Sequence, residues 1–239
     1  SAIRLLGPFF IALVLSVVFS PKYVELMKKW QIVTDPAKHS HPGMILKNPS
    51  ARGGGLFFVL LFAPLSLLFV PLSVENLGIL TLSFVLALVG FLDDIQNTHL
   101  NSKLRFLENP WVRLILLFFV VGTLYLFGIG IDFGSSAFVD LTRFTQLSQN
   151  MALVNIFVKM VSWLLTTVWI VWILNLLSWS NGVDGQYSGI AGISLIIVSI
   201  LSLRFGTDKS GYLGYAQMAL IGAGVSLGLA RVTWFPSKM

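Results

Sequence analysis

Two adjacent carboxylates, Asp93 and Asp94, follow the apolar segment that ends in Gly-Phe-Leu at residues 90–92. The C-terminus of a helix carries partial negative charge, so two anions at this position are unfavourable unless a cation lies close to them. Magnesium suits such a pair better than zinc, because magnesium binds one or two carboxylates together with phosphate oxygens and water. Manganese is the second candidate. The alternative interpretation is that the two aspartates only mark the boundary between lipid and water.

A second polar segment, residues 175–185, follows a long apolar run. Asp184 lies between Gly182 and Gly185, which permit positive φ angles and close approach of a ligand. We therefore predict Asp184 as a third metal ligand. Asn175 lies deeper in the apolar run, where a polar residue indicates function. The alternative is an ordinary turn between two membrane spans.

The third segment is the polar loop that begins near Thr34 and closes at Arg52-Gly53-Gly54-Gly55. Glycines at a helix N-terminus favour anion binding, because free N–H groups and the helix dipole point at the ligand, and Arg52 adds a bidentate donor. A flexible hinge is the alternative. Lys103 and Arg105, which follow the paired aspartates, either bind phosphate or extend to lipid headgroups. The three histidines are interpreted as solvated loop residues.

The elements that position these segments are membrane helices. The 239 residues are 56% hydrophobic and 11% charged, with a mean hydropathy of +0.84, and such a chain has too much apolar surface for a soluble domain. A span needs about 17–25 apolar residues. The sequence thus predicts an all-α, polytopic bundle in a single domain, 1–239, with seven spans at 3–20, 53–72, 77–92, 111–128, 153–177, 188–205 and 214–232. A short hairpin is predicted within 129–152.

The basic residues indicate orientation rather than nucleic-acid binding, because they lie in short loops between apolar runs. With seven spans, loops 21–52, 93–110 and 178–187 and the tail share one side, which makes all three aspartates neighbours of one membrane face. That side and its flanks carry eleven of the 16 basic residues: Lys22, Lys28, Lys29, Lys38, Lys47, Arg52, Lys103, Arg105, Arg113, Arg231 and Lys238. The positive-inside rule therefore predicts that it is cytoplasmic. The chain has no cysteine, which excludes disulfides and thiolate chemistry within it.

Taken together and in this order, the three segments resemble the polyprenyl-phosphate N-acetylhexosamine-1-phosphate transferases. Phe91-Leu92-Asp93-Asp94 is similar to the family's Asp-Asp motif, and residues 175–185 are similar to its Asn-x-x-Asn-x-x-Asp-Gly-x-Asp-Gly signature. Ser178 and Asn181 depart from that signature, where Asn and Asp are usual. The similarity extends over residues 30–190.

The resemblance implies a plasma-membrane enzyme in which a polyprenyl phosphate attacks a UDP-N-acetylhexosamine at the cytoplasmic face and releases UMP. Magnesium would be held by the catalytic residues Asp93, Asp94 and Asp184. The implied substrate-binding residues are Asn175, Asn181, Lys103, Arg105, Arg52 and Asp35. An arginine before the glycines favours the GlcNAc-1-phosphate branch, and the muramoyl-pentapeptide branch of peptidoglycan synthesis is the alternative. A homodimer is a further expectation.

The end of the chain, Pro236-Ser237-Lys238-Met239, resembles the lead-in to a Gly-Asp-x-Gly motif of the same family. We therefore expect a C-terminally truncated fragment with an incomplete site, and about ten helices in the full protein. Two other classes remain open. A cation-coupled transporter or flippase would need acidic residues near the bilayer midplane, and a non-catalytic scaffold would be consistent with Ser178 and Asn181.

Overall fold

The computed structural model of the chain describes residues 2–34, 49–98, 109–131, 151–179, 184–205, 209–234 and 237–239. In these ranges the chain forms α1 (Ala2–Lys29), α2 (Gly54–Phe69), α3 (Val74–Thr98), α4 (Pro110–Gly122), α5 (Met151–Trp179), α6 (Gln186–Phe205) and α7 (Lys209–Thr233). A 3₁₀ turn, Thr123–Phe127, continues α4. Two short strands, β1 (Val33–Thr34) and β2 (Ser50–Ala51), pair antiparallel beside the first turn of α2.

Six helices of the described ranges are long and apolar enough to cross a membrane, which confirms the prediction of a polytopic helical bundle. The exception is α2, which has 16 residues where the sequence predicted a span over 53–72. The helix ends at Phe69 because Val70 is extended and the proline at position 71 disfavours helical backbone before it. At 1.5 Å per residue α2 is about 24 Å long, somewhat short of the hydrocarbon core.

The largest errors in the predicted helix limits are at the C-terminal ends of the first and third helices. The first helix continues through Pro21 to Lys29 rather than ending at residue 20, because Tyr23, Val24 and Met27 are buried against α7 and offset the cost of the internal proline. The third helix continues to Thr98 rather than ending at residue 92. The first loop therefore begins at residue 30 rather than 21, and Asp93 and Asp94 lie within α3 rather than in the loop predicted at 93–110.

The helices alternate in direction, and side-chain contacts show which ends meet. Near the start of both α1 and α7, Gln217 Nε2 donates to the Arg4 carbonyl at 3.0 Å. The same two helices meet near their C-terminal ends, where Arg231 Nη1 donates to the Val17 carbonyl at 3.2 Å, so they run parallel. We call the end of the bundle that holds the C-termini of α1, α3 and α7 the acidic end.

The packing of α7 against α1 depends on glycines. A Cβ built on Gly224 would lie 2.4 Å from the Phe9 carbonyl oxygen, and one on Gly228 would lie 2.4 Å from the Ser16 Cβ. Both distances are shorter than real contacts, so the two backbones touch only because glycine has no side chain. Small residues at a helix interface let two helices approach closely, and Gly224 and Gly228 have this role between α1 and α7.

Some sequence predictions lie outside the described residues. The predicted hairpin falls mostly in residues 132–150, and Asp35, Lys103, Arg105 and Asn181 fall in other undescribed segments.

Candidate active site

The Arg52-Gly53 turn forms the centre of the acidic end, and the short sheet fixes its position. Val33 pairs with Ala51 across the two strands, and the Arg52 N–H donates to the Ile32 carbonyl at 3.0 Å. Arg52 Nε also donates to Thr34 Oγ1 at 2.8 Å. The first polar loop therefore returns to its own starting point, and the Arg52 side chain is attached to the strand that follows α1.

Gly53 is the N-cap residue of α2 and has φ of +91°, in the left-handed region. Its carbonyl accepts a hydrogen bond of 2.9 Å from Tyr23 Oη. A Cβ on residue 53 would lie 3.0 Å from Tyr23 Oη and 3.3 Å from the Phe91 ring. Both the backbone angle and the space available require glycine here.

Asp94 contacts this turn with both carboxylate oxygens. Oδ2 accepts a hydrogen bond from the Gly53 N–H at 3.0 Å, and Oδ1 lies 3.6 Å from Arg52 Nη1. The carboxylate thus caps the N-terminus of α2 from another helix, where the dipole favours an anion. The sequence predicted that the glycine run would bind an external anion, but the Gly53 N–H is already used by Asp94.

Asp93 faces a different helix. Its Oδ2 lies 3.6 Å from Arg113 Nη1, on the first turn of α4. That helix begins with proline at position 110, and Asn109 caps it by accepting from the Trp111 N–H at 3.0 Å. Sequence reasoning used Arg113 only to predict membrane orientation. Arg113 lies one turn into the span that follows the two aspartates, and this position could have indicated a role beside Asp93.

Asp184 lies just before α6, in front of a second left-handed glycine. Gly185 has φ of +75°, and a Cβ on it would lie 2.8 Å from the Trp234 ring. Asp184 is exposed, and its Oδ2 accepts a hydrogen bond of 3.0 Å from the Ser237 N–H. A contact of 2.7 Å between the hydroxyls of Ser188 and Thr233 also ties the start of α6 to the end of α7.

Residues 237–239 connect Asp184 to the Arg52-Gly53 turn. The Lys238 carbonyl accepts a hydrogen bond of 3.0 Å from the Ala51 N–H, next to Arg52. Met239 packs in the cluster that contains Phe91 and Ile95, beside the paired aspartates. A continuous set of contacts therefore joins Asp184, this C-terminal segment, β2 and Asp94 at the acidic end.

These contacts bring the three aspartates to the same end of the bundle, but not into one cluster. Within the ranges that the structure describes, no three side chains of His, Asp or Glu lie close enough to hold a metal ion. Asn175 uses its side-chain amide within its own helix, where Nδ2 donates to the Val171 carbonyl at 2.8 Å. Magnesium needs only one or two protein carboxylates when phosphate oxygens and water complete the shell, so exposed Asp184 is a suitable ligand.

Comparisons with known proteins identify the family of the chain. The family model described as glycosyl transferase family 4 matches residues 76–239, which is more than half of the chain. A phospho-N-acetylmuramoyl-pentapeptide-transferase of Clostridium botulinum (strain Eklund 17B / Type B) is 26% identical over 238 residues. That alignment covers 98% of this chain and 66% of the relative. A protein with the same name from strain Alaska E43 / Type E3 is 24% identical over 227 residues, which cover 94% of this chain and 64% of the relative.

The chain thus spans about two thirds of the length of these curated relatives. No solved structure shows a significant match. The extent of the family match decides the assignment, because it includes both the paired aspartates and Asp184. The chain belongs to glycosyl transferase family 4.

Proposed function

We propose that the full-length protein transfers an N-acetylhexosamine-1-phosphate from a UDP-sugar to a polyprenyl phosphate. An oxygen of the lipid phosphate attacks the β-phosphorus of the UDP-sugar and a new P–O–P linkage forms. The bond from the β-phosphorus to the bridging oxygen breaks, and UMP leaves with that oxygen. The observation that carries the proposal is the contact set that joins Asp184, the Arg52-Gly53 turn and Asp94 at one end of a family 4 membrane bundle.

Phosphoryl transfer needs alignment and charge stabilisation more than covalent chemistry from the protein. Asp184 is the proposed ligand of magnesium, which when bound would neutralise charge on the pyrophosphate. Arg52 is proposed to donate hydrogen bonds to a phosphate of the substrate, since its guanidinium is held at Nε and Nη1 and is partly exposed. The acidic residues of the site lie at helix ends, which favours this chemistry over cation-coupled transport through the bilayer.

The donor sugar has two candidates. Arg52 before the glycines supports UDP-GlcNAc, by the resemblance described above. The names of the two relatives support UDP-N-acetylmuramoyl-pentapeptide. Both donors therefore belong in the same experiment.

The test is release of UMP by the purified full-length protein with polyprenyl phosphate and each donor in turn. We expect turnover with one donor, loss of turnover on chelation of divalent cations, and recovery when magnesium is added. Asp184→Asn is expected to lower the rate by about a hundredfold or more. Glu75→Gln is the matched control, because Glu75 lies in the first turn of α3, at the opposite end from Asp94. The proposal fails if the wild-type protein releases no UMP from either donor.

We also propose that the protein lies in a plasma membrane with its acidic end on the cytoplasmic side, because the basic residues concentrate at that end. The chain contains no cysteine, so single cysteines report on sidedness. Trp30 is exposed at the acidic end and Leu72 is exposed at the opposite end. In intact cells, an impermeant maleimide is expected to label Leu72→Cys and to leave Trp30→Cys unlabelled. The reverse pattern would show that the orientation is wrong.

A further inference from the structure

We propose that Asp94 is a positioning residue that acts through Arg52, and that Asp93 is the member of the pair that meets substrate. The inference rests on the proposed function, because it assigns roles within that site. The two aspartates are adjacent and of the same type, and their positions in the sequence do not distinguish them.

Helix geometry separates the two side chains. Consecutive residues of an α-helix point about 100° apart, so adjacent side chains can face different elements of the bundle. Asp94 faces the start of α2, and Asp93 faces the first turn of α4. Their exposure is similar, at 28% and 24% of the side chain, so the difference lies in their partners.

Both oxygens of Asp94 are engaged with one turn of the chain, Oδ2 with the Gly53 N–H and Oδ1 with Arg52. A backbone N–H at a helix N-terminus is a fixed partner, since the helix cannot rotate it away. Substrate would have to displace two contacts at once in order to reach Asp94. For Asp93, a single ion pair is found within the described residues, and its partner Arg113 is 42% exposed. Exposed ion pairs contribute little and are easily exchanged.

Arg52 is the group that benefits from this arrangement. Its guanidinium is held by Thr34 at Nε and by Asp94 at Nη1, on two sides of a planar group. Within the described part of the chain, Nη2 has no protein partner in the contacts found, and the side chain is 27% exposed. An arginine fixed in this way presents its remaining N–H groups in one direction, which is what recognition of a phosphate requires.

The test is a pair of double-mutant cycles on UMP release by the full-length protein. If Asp94 acts through Arg52, Asp94→Asn and Arg52→Gln should each raise KM for the UDP-sugar by about tenfold, with a smaller effect on kcat. The double variant should be no worse than either single one. Asp93→Asn should instead lower kcat by about a hundredfold, and this effect should multiply with that of Arg52→Gln.

The result that would overturn the inference is a loss of kcat in Asp94→Asn that equals that of Asp93→Asn and multiplies with Arg52→Gln. Asparagine keeps an oxygen that can accept from the Gly53 N–H, so Asp94→Asn is expected to fold.

A second readout separates this inference from the proposed function. If the wild-type protein shows no UMP release, the reaction is wrong, and thermal unfolding of the same variants still decides the pairing. The decreases in Tm caused by Asp94→Asn and Arg52→Gln are expected to be non-additive. Those caused by Asp93→Asn and Arg52→Gln are expected to be additive. Additive shifts for the first pair would refute the link between Asp94 and Arg52.

Discussion

Replacement of Gly53 by alanine is the most direct test of how the acidic end is built. At φ of +91° a residue with a Cβ costs about 1–2 kcal/mol relative to glycine. The new methyl group would also lie 3.0 Å from Tyr23 Oη and 3.3 Å from the Phe91 ring. That contact would distort the hydrogen bond from Tyr23 Oη to the Gly53 carbonyl. A hydrogen bond of this kind contributes about 0.5–1.5 kcal/mol to stability. We therefore expect Gly53→Ala to destabilise the protein by about 2–3 kcal/mol.

The control lies two residues away, in the same glycine run. Gly55 is inside the first turn of α2, and a Cβ on it would meet nothing within 4 Å. Gly55→Ala is expected to be neutral or to stabilise the helix by up to about 1 kcal/mol. The assay is thermal unfolding of each purified variant in detergent, followed by circular dichroism.

For a chain of this size, 1 kcal/mol corresponds to about 2–4 °C in Tm, so Gly53→Ala should melt roughly 5–10 °C lower and Gly55→Ala no lower than wild type. Equal Tm values for the two alanine variants would refute the reasoning, because they would show that neither the left-handed backbone nor the Tyr23 contact constrains position 53.

Two further predictions concern the supports of the site. Gly228→Ala forces α1 and α7 apart and should lower the free energy of unfolding by about 1–3 kcal/mol. Gly189→Ala on α6 is the control and should not lower Tm, because a Cβ there meets nothing within 4 Å. Equal Tm values for the two variants would contradict the close packing of α1 and α7. Ser237→Pro removes the N–H that Asp184 accepts, so UMP release should fall about tenfold, whereas Ser237→Ala keeps that N–H and should retain most of the rate. Similar rates for the two Ser237 variants would show that the contact with Asp184 is unimportant.

The positions of the helices could be predicted from sequence because the hydrophobic effect acts on each segment separately. Their ends were less accurate, and the errors have a common cause. Pro21 and the pair at 93–94 were interpreted as boundaries, since they interrupt the apolar pattern. A helix ends only where its backbone hydrogen bonds end, however, and α3 continues for nearly two turns beyond Leu92, the last apolar residue before Asp93.

The partners of the site residues could not be predicted from sequence. The hydrogen bond from Gly53 to Asp94 joins positions 41 residues apart, and that from Ser237 to Asp184 joins positions 53 apart. Spacing within a motif reports on one helix face or one turn, not on which turn packs beside it. The sequence thus identified Arg52, Asp94 and Asp184 as separate candidates, and helix packing determines which of them meet.

The most buried candidate span of the described chain is α7, and its burial explains an unusual feature of its sequence. In α7, 78% of the most apolar stretch is buried, compared with 22% or less in the other five candidate spans of the described chain. Its mean hydropathy, 1.4, is nevertheless the lowest of the six. A central helix needs small residues for close packing more than it needs hydrophobicity, because it has little contact with lipid. Glycines 224 and 228 satisfy that need.

The C-terminal end of this helix contacts the elements that position Asp184 and the Arg52-Gly53 turn. Leu229 and Val232 pack against the end of α1, Thr233 bonds to the start of α6, and the Val232 carbonyl accepts from the Lys238 N–H at 2.8 Å. The Arg52-Gly53 turn and Asp184 are thus positioned relative to one another through α7. Displacement of α7 by Gly228→Ala would shift these attachments together. We therefore expect that variant to lose turnover even at temperatures where it remains folded, although the nearest neighbours of a Cβ on Gly228 belong to Leu13 and Ser16 of α1.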